Sequence, residues 1–142
     1  MFSDSKIPRE TIQAYLETEY IAFGDPPTTL RIGETSAALA ALHKAYGVNC
    51  SAFITGCNPY SEHRTPEFNA ERQQALARDL EQLGLVAIDG IGKHPSNDWP
   101  GEASFLVPGL SLETAKALAT KYGQNAIVWS VEDATPQLVL LR

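Results

Sequence analysis

The chain contains little cysteine and little methionine. Two cysteines, one methionine and two tryptophans occur among its 142 residues. Cys50 and Cys57 lie at opposite ends of a predicted strand, and an extended strand of that length separates their Cα atoms by about 23 Å, beyond disulfide reach. Both thiols are therefore predicted to be reduced, which is typical of cytoplasmic proteins.

Long apolar runs and export signals are also missing. No segment approaches the roughly 18 consecutive apolar residues of a membrane-spanning helix. The first residues, MFSDSKIPRETIQAYL, lack the basic region followed by an apolar core that marks a signal peptide. We therefore expect a cytoplasmic protein with no membrane partner.

Basic residues are outnumbered by acidic ones. The sequence has 11 Lys and Arg against 17 Asp and Glu, a formal net charge of −6. Nonspecific nucleic-acid binding relies on basic surface that displaces counterions, so we do not expect it. A local basic pocket could still form from four residues that flank the two polar loops: Arg64, Arg72, Lys93 and His94. A solvated surface of mixed sign is the simpler interpretation, and no protein partner is indicated.

Alternating helix and strand patterns predict a single α/β domain over residues 1–142. The length and the 44% hydrophobic content fit one domain with a substantial core. Helices are predicted to begin near residues 8, 36, 66 and 111, and strands at 19–24, 28–32, 50–56, 85–91, 103–109, 125–131 and 136–141. Helices between the central strands favour parallel pairs, whereas hairpins at both ends add antiparallel pairs. We predict a mixed parallel/antiparallel sheet of five to seven strands with helices packed on it.

The most informative segment covers residues 52–83, where an apolar strand leads through an Asn-Pro turn and a polar loop into a helix. Spacings of three and four place one set of helix residues on one side: Asn69, Arg72 (or Gln73), Leu76, Leu80 and Leu83. The N-terminal end of this stripe is polar, and the strand delivers Asn58 and Ser61 to the same end. Open α/β sheets usually carry their sites at such strand ends, so we predict a site here.

Four sequence motifs follow one another along the chain: ITGCNPYS, FNAERQQAL, the Trp-Pro-x-Glu-x-Ser-Phe-Leu-Val stretch from Trp99 to Val107, and YGQNAIVW. Together they resemble a small bacterial family, domain of unknown function 3293, from about Glu19 to Leu141. The resemblance implies no particular activity. We expect no cofactor. The polar positions that match the family pattern are Asn58, Pro59, Ser61, Asn69, Arg72, Glu102, Ser104, Gln124 and Asn125. The pattern tolerates other residues at Cys57.

Arg72 is the residue on which the interpretation of this site depends. A buried arginine is costly without a partner, so it needs a carboxylate, several carbonyl groups or an anionic ligand. Glu102 begins a later strand and is the natural internal carboxylate. A structural Arg72–Glu102 pair is the simpler interpretation. An anion held between Arg72 and the backbone N–H groups at the helix start is the functional alternative.

Histidines, a cysteine and a tryptophan near the polar loops are further candidates. The spacing of His63 and His94 matches no metal-ligand motif, and we interpret them as exposed loop residues rather than a metal site or an acid–base pair. Cys57, seen with His63, is interpreted as a buried strand-end thiol rather than a nucleophile. The Trp99 side chain is expected either to cover the pocket or to pack against the hydrophobic core.

These features favour a small-ligand binding domain for an anionic or nucleotide-type ligand. Its pocket is predicted between loops 57–66 and 92–102, from seven residues: Asn58, Ser61, Asn69, Arg72, Glu102, Ser104 and Gln124. Arg72 would bind an anionic group, and the amides would supply hydrogen bonds. Two alternatives remain open. One is a small hydrolase-like enzyme that uses Glu102 or a loop histidine as general base. The other is a protein-interaction module whose polar cluster only fixes the fold.

Overall fold

The structure, a computed structural model, describes residues 5–24, 26–96 and 101–142. Its α-helices are α1 (Arg9–Glu17), α2 (Ala37–Tyr46), α3 (Pro66–Gln82) and α4 (Leu112–Lys121), and a short 3₁₀ turn covers Pro59–Ser61. Its strands are β1 (Glu19–Ala22), β2 (Thr28–Leu30), β3 (Ser51–Ile54), β4 (Ile88–Lys93), β5 (Glu102–Pro108), β6 (Ala126–Ser130) and β7 (Gln137–Leu140). None of these helices combines the length and the apolar character needed to cross a bilayer.

The seven strands form one sheet in the order β2-β1-β4-β5-β3-β6-β7, and each neighbouring pair is antiparallel. The prediction of a mixed parallel/antiparallel sheet is therefore wrong. Helix α3 joins β3 to β4, and α4 joins β5 to β6; each helix does connect two strands of the same direction. A third strand lies between the two in both cases, because β5 separates β3 from β4 and β3 separates β5 from β6. A helical crossover therefore sets the direction of the second strand. It does not determine which strand that second strand pairs with in the sheet.

The central segment β3-α3-β4-β5-α4-β6 has the split βαβ connectivity of ferredoxin-like folds. Hairpins extend this sheet at both edges, as predicted: β1 and β2 continue it beyond β4, and β7 continues it beyond β6. The register places Gly90 of β4 opposite both Ala22 of β1 and Ser104 of β5. The strands next to the predicted site, β3, β5 and β6, therefore each pair with a strand on both sides.

Helices cover both faces of the sheet. On one face, the buried leucines of α3 and alanines of α4 pack against Ile54 and its neighbours. On the other face, Leu39 of α2 packs against Phe53 and its neighbours. Successive side chains of a strand point to opposite faces, which is why Phe53 and Ile54 belong to different clusters. The three-layer arrangement leaves α1 to cover the remaining part of the second face.

Side-chain caps begin three of the helices where the sequence indicates them. The hydroxyl groups of Ser36, Thr65 and Ser111 accept hydrogen bonds from backbone N–H groups three residues later. Gly47 ends α2 in the left-handed conformation, with φ of 66°. These local signals explain why the predicted helices agree closely with the observed ones.

Strands β1 and β4 approach each other closely at Gly90. A Cβ atom at Gly90 would lie 2.4 Å from the carbonyl oxygen of Ile21. We expect Gly90→Ala to lower the free energy of unfolding by about 1–3 kcal/mol, because the backbone of β1 would have to shift. Urea denaturation measures this change. Gly92→Ala is the matched control in the same strand, since its Cβ would meet the ring of Tyr20 at an ordinary 3.6 Å. Equal stability of the two variants would contradict the β1–β4 pairing.

Candidate functional site

A cavity of about 290 Å³ lies between α1 and the face of the sheet that α2 also covers. Its lining includes five of the predicted site residues: Asn58, Ser61, Glu102, Ser104 and Gln124. Apolar and aromatic side chains form much of the floor, among them Tyr20, Phe53, Val128 and Leu138, while Thr11, Ala14 and Tyr15 of α1 lie opposite. The polar residues gather where β3 ends and where β5 and β6 begin.

The loop after β3 holds three residues with positive φ. Asn58, Tyr60 and Ser61 have φ values of 46°, 57° and 59°. Such values are uncommon outside glycine, although asparagine tolerates them better than most residues. The turn after α4 supports this conformation, because the Tyr60 N–H donates to the Gly123 carbonyl oxygen at 2.7 Å. The loop is thereby shaped by the chain segment that leads into β6.

Asn58 connects helix α3 to Glu102. Its backbone N–H donates to Asn69 Oδ1 at 2.8 Å, and Asn69 Nδ2 donates to Asn58 Oδ1 at 2.9 Å. The same Oδ1 accepts from the Arg64 N–H at 2.9 Å. With its oxygen engaged in this way, Asn58 directs Nδ2 to Glu102 Oε2 at 2.8 Å. Asn69 therefore lies outside the cavity lining and orients the residue that contacts Glu102.

Glu102 is a half-buried carboxyl group at the polar end of the cavity. Burial raises its pKa, and the hydrogen bond from Asn58 acts in the opposite direction. Within residues 5–24, 26–96 and 101–142, no ion pair involves Glu102. The Arg72–Glu102 pair that the sequence suggested does not form. Glu102 therefore presents acceptor capacity to the cavity.

Arg72 lies outside the cavity lining and links two segments of the backbone. Its Nε donates to the Gly56 carbonyl oxygen at 3.0 Å, and a terminal nitrogen donates to the Tyr122 carbonyl oxygen. Its guanidinium carbon lies 5.5 Å from the ring centroid of Phe68 and 5.3 Å from that of Tyr122. Of the three partners that the sequence allowed, carbonyl groups are the ones observed. Arg72 ties the end of β3 to the end of α4.

Backbone carbonyl groups also engage other predicted residues. Gln124 Nε2 donates to the Cys57 carbonyl oxygen at 2.9 Å, and Ser104 Oγ donates to the backbone oxygen of Glu102 at 3.0 Å. The Cys57 thiol is buried and donates to the Ala103 carbonyl oxygen at 3.5 Å. Burial raises the pKa of this thiol, which agrees with its interpretation as a strand-end thiol.

Helix α1 contributes a polar group that the sequence-based prediction did not include. Tyr15 Oη forms a hydrogen bond with Ser61 Oγ, and Asn125 Nδ2 donates to both oxygens at 3.2 Å. Burial raises the pKa of the Tyr15 phenol. The available signal was the position of Tyr15 on the apolar face of α1, since a buried phenol usually requires a hydrogen-bond partner.

The loop histidines differ in position. His94 lines the cavity, and its Nε2 lies 2.8 Å from Glu17 Oε1. His63 is exposed on the loop before α3. In the part of the chain that the structure describes, no group of three or more His, Cys, Asp or Glu residues is arranged to hold a metal ion. Trp99 lies outside the described residues.

Comparison with known proteins gives a family match. A sequence model described as a protein of unknown function (DUF3293) matches residues 54–127, just over half of the chain. This segment runs from the end of β3 into β6 and carries Asn58, Ser61, Glu102, Ser104 and Gln124; helix α1 precedes it. No curated protein and no solved structure matches the chain.

Replacement of Arg72 tests its structural role. We expect Arg72→Ala to lower the free energy of unfolding by about 2–3 kcal/mol, because two carbonyl groups lose a charged donor. Arg78→Ala, at an exposed position of the same helix, is the matched control and should change it by less than about 0.5 kcal/mol. Chemical denaturation compares the two. Unchanged stability of Arg72→Ala, with loss of binding to phosphate or a carboxylate, would restore the anion-binding interpretation.

The buried carboxyl group predicts a pH-dependent gain in stability for Glu102→Gln. A carboxyl group whose pKa is higher in the folded than in the unfolded protein destabilises the fold once it ionises. We expect Glu102→Gln to melt at a higher temperature than the wild type near neutral pH. The gain should shrink as the pH falls towards 4.5, the ordinary value for glutamate.

Thermal melts over a pH series measure this difference. Glu71→Gln, at an exposed position of α3, is the control for loss of one negative charge. A gain of the same size at acidic and neutral pH would show that packing, rather than the buried charge of Glu102, causes it.

Proposed function

The chain belongs to the DUF3293 family of proteins of unknown function, and we propose that it is a small-ligand binding domain whose site is the cavity beneath α1. The observation that carries the proposal is the carboxyl group of Glu102 at the polar end of a cavity of about 290 Å³ that apolar and aromatic side chains also line. Ligand pockets typically measure roughly 300–1,000 Å³ and combine apolar walls with a few polar groups. The volume suits a molecule of about one ring with a short substituent.

Polar groups at one end of the cavity would orient such a ligand. A carboxylate offers about four lone-pair sites, and Asn58 occupies one site on Glu102 with its hydrogen bond. Ser61 and Tyr15 place two further hydroxyl oxygens near this end. The floor of the cavity carries Tyr20 and Phe53, which would contact an apolar body. The cavity therefore supports binding that is polar at one end and apolar along its length.

The charge of the lining favours a ligand without an anionic group. The sequence suggested an anionic or nucleotide-type ligand held by Arg72, whose donors instead bind two carbonyl groups. The described lining includes the carboxyl groups of Glu10 and Glu102 and contains no lysine or arginine. An anion would enter this cavity against two carboxylates, and no lysine or arginine of the described lining would offset them.

An enzyme with Glu102 as general acid or base is the second candidate. Burial raises the pKa of Glu102, and carboxyl groups with raised pKa values in clefts are frequent catalytic residues. His94 is the loop histidine that reaches the same cavity. The third alternative is an interaction module whose polar cluster is structural. It explains the hydrogen bonds that Asn69 and Arg72 make to the loop after β3, but it gives the cavity no role.

We also propose a cytoplasmic location. Cys50 and Cys57 are free thiols, as the strand between them predicted. Reduced thiols are the usual state of cysteine in the cytoplasm. The proposal rests on this chemistry alone.

Filling the cavity from α1 tests the binding proposal. Ala14 lines the cavity, and Ala14→Leu enlarges its side chain while keeping a strong helix former. We expect the wild type to bind fragments with a single aromatic ring in ligand-observed NMR, and Ala14→Leu to weaken this binding by about tenfold or more.

Ala41→Leu is the matched control, because it makes the same change at an exposed position of α2. It should bind the fragments as the wild type does, and melting curves establish that both variants are folded. Equal binding by all three proteins would place the fragments elsewhere, and absence of binding to the wild type would also count against the cavity as a ligand site.

A further inference from the structure

The titratable groups around the cavity are predominantly acidic. Glu10 and Glu102 line it, and His94, which also lines it, is already engaged with Glu17 at 2.8 Å. Arg142 donates to Asn125 Oδ1 at 3.1 Å, lies over the Tyr60 ring at 4.4 Å and is not part of the described lining of the cavity. Apart from His94, the charged side chains of the described lining are therefore carboxylates, which favour a positive group.

The carboxylate of Glu102 has no positively charged partner among the described lysines and arginines. Asn58 supplies one neutral hydrogen bond, and no lysine or arginine of the described residues pairs with it. A carboxylate removed from water without a counter-charge is unfavourable. A bound ammonium group would offset this cost and form a charge-assisted hydrogen bond, which is roughly twice as strong as a neutral one.

The walls next to Glu102 suit an apolar body. The rings of Tyr20 and Phe53 pack edge to face, with centroids 5.3 Å apart and planes at 70°. Both rings line the cavity, so a ligand would contact aromatic surface on the same face of the sheet. Aromatic faces also attract cations at distances of up to about 6 Å. An amine with a short apolar chain or ring matches both walls.

We propose that the cavity binds a small primary or secondary amine, whose ammonium group contacts the Glu102 carboxylate and whose apolar body packs against Tyr20 and Phe53. This inference rests on the proposed function, because it names the class of ligand for the same cavity. Asn58 takes part as a positioning residue: it holds one carboxylate oxygen and leaves the other oxygen for the amine.

Three matched probes test the class of ligand. 2-Phenylethylamine, 2-phenylethanol and 3-phenylpropionate share a phenyl ring on a short chain and differ in the charge of the end group. Titrations are followed by calorimetry or protein NMR at about pH 7.5, where alkylamines are protonated. We expect the amine to bind the wild type about tenfold or more tightly than the alcohol, and the carboxylate to bind most weakly.

Glu102→Gln separates the charge of the carboxylate from the shape of the cavity. The amide keeps an oxygen that accepts from Asn58 and has nearly the same volume as the carboxyl group. We expect the preference for the amine over the alcohol to fall to about twofold or less in this variant. Glu71→Gln, which removes an exposed carboxylate of α3, should keep the wild-type preference.

The outcomes distinguish the amine proposal from the cavity proposal. If the alcohol binds wild type as tightly as the amine does and Ala14→Leu abolishes both, the amine proposal fails and the cavity stands as the site. If amine binding survives in both Ala14→Leu and Glu102→Gln, the amine binds the acidic surface instead and the proposal is overturned. If none of the probes binds, the amine proposal is overturned for ligands of this size, while the wider fragment screen judges the cavity separately.

Discussion

The anchoring of residues 56–58 by the first turns of α3 is the constraint on which the site depends. Three polar side chains hold this short backbone segment: Arg72 donates to the Gly56 carbonyl oxygen, Gln73 accepts from the Gly56 N–H, and Asn69 accepts from the Asn58 N–H. The approach is so close that a Cβ atom at Gly56 would lie 3.0 Å from the carbonyl oxygen of Arg72. A leucine stripe continued to the helix start would bury these backbone groups without partners, which is costly. The polar start of the stripe is therefore part of the packing of α3.

A cavity remains beneath α1 because the strands there carry small residues. Gly92 of β4, Ser104 of β5 and Ala126 of β6 all line it, and none of them fills the space between helix and sheet. At the end of the cavity, the anchored loop presents Asn58 to Glu102. Among the described residues, no lysine or arginine pairs with the half-buried carboxylate of Glu102, and burial of such a group lowers the stability of a fold. Helix α3 thus positions Asn58, and Asn58 in turn holds the Glu102 carboxylate beside the cavity.

Much of the local structure could be predicted, and five of the seven residues predicted for a site line one cavity. Caps at Ser36, Thr65 and Ser111 indicated where three helices begin, and the two terminal hairpins were recognised from adjacent strand patterns. Asn58 was proposed because it follows a buried strand, and Glu102 because it begins a later strand and could supply a carboxylate to Arg72. The contribution of α1 was missed, since Tyr15 fits an apolar helix face equally well when its hydroxyl partners are unknown. Parallel pairing was predicted wrongly because a crossover helix sets only the relative direction of the two strands that it joins. It does not show whether a third strand lies between them in the sheet.

The sequence by itself determined the helices, the strands and the polar start of α3, because these follow from residue spacing and from caps a few residues away. It also determined that Arg72 needs strong partners. Only the tertiary structure decided that these partners are the carbonyl groups of Gly56 and Tyr122, that β5 lies between β3 and β4, and that α1 covers a cavity next to Glu102. Each of these depends on groups distant in the sequence, and several pairings satisfy the same local pattern. The strand pairing that forms is the one that lets helices pack on both faces of the sheet.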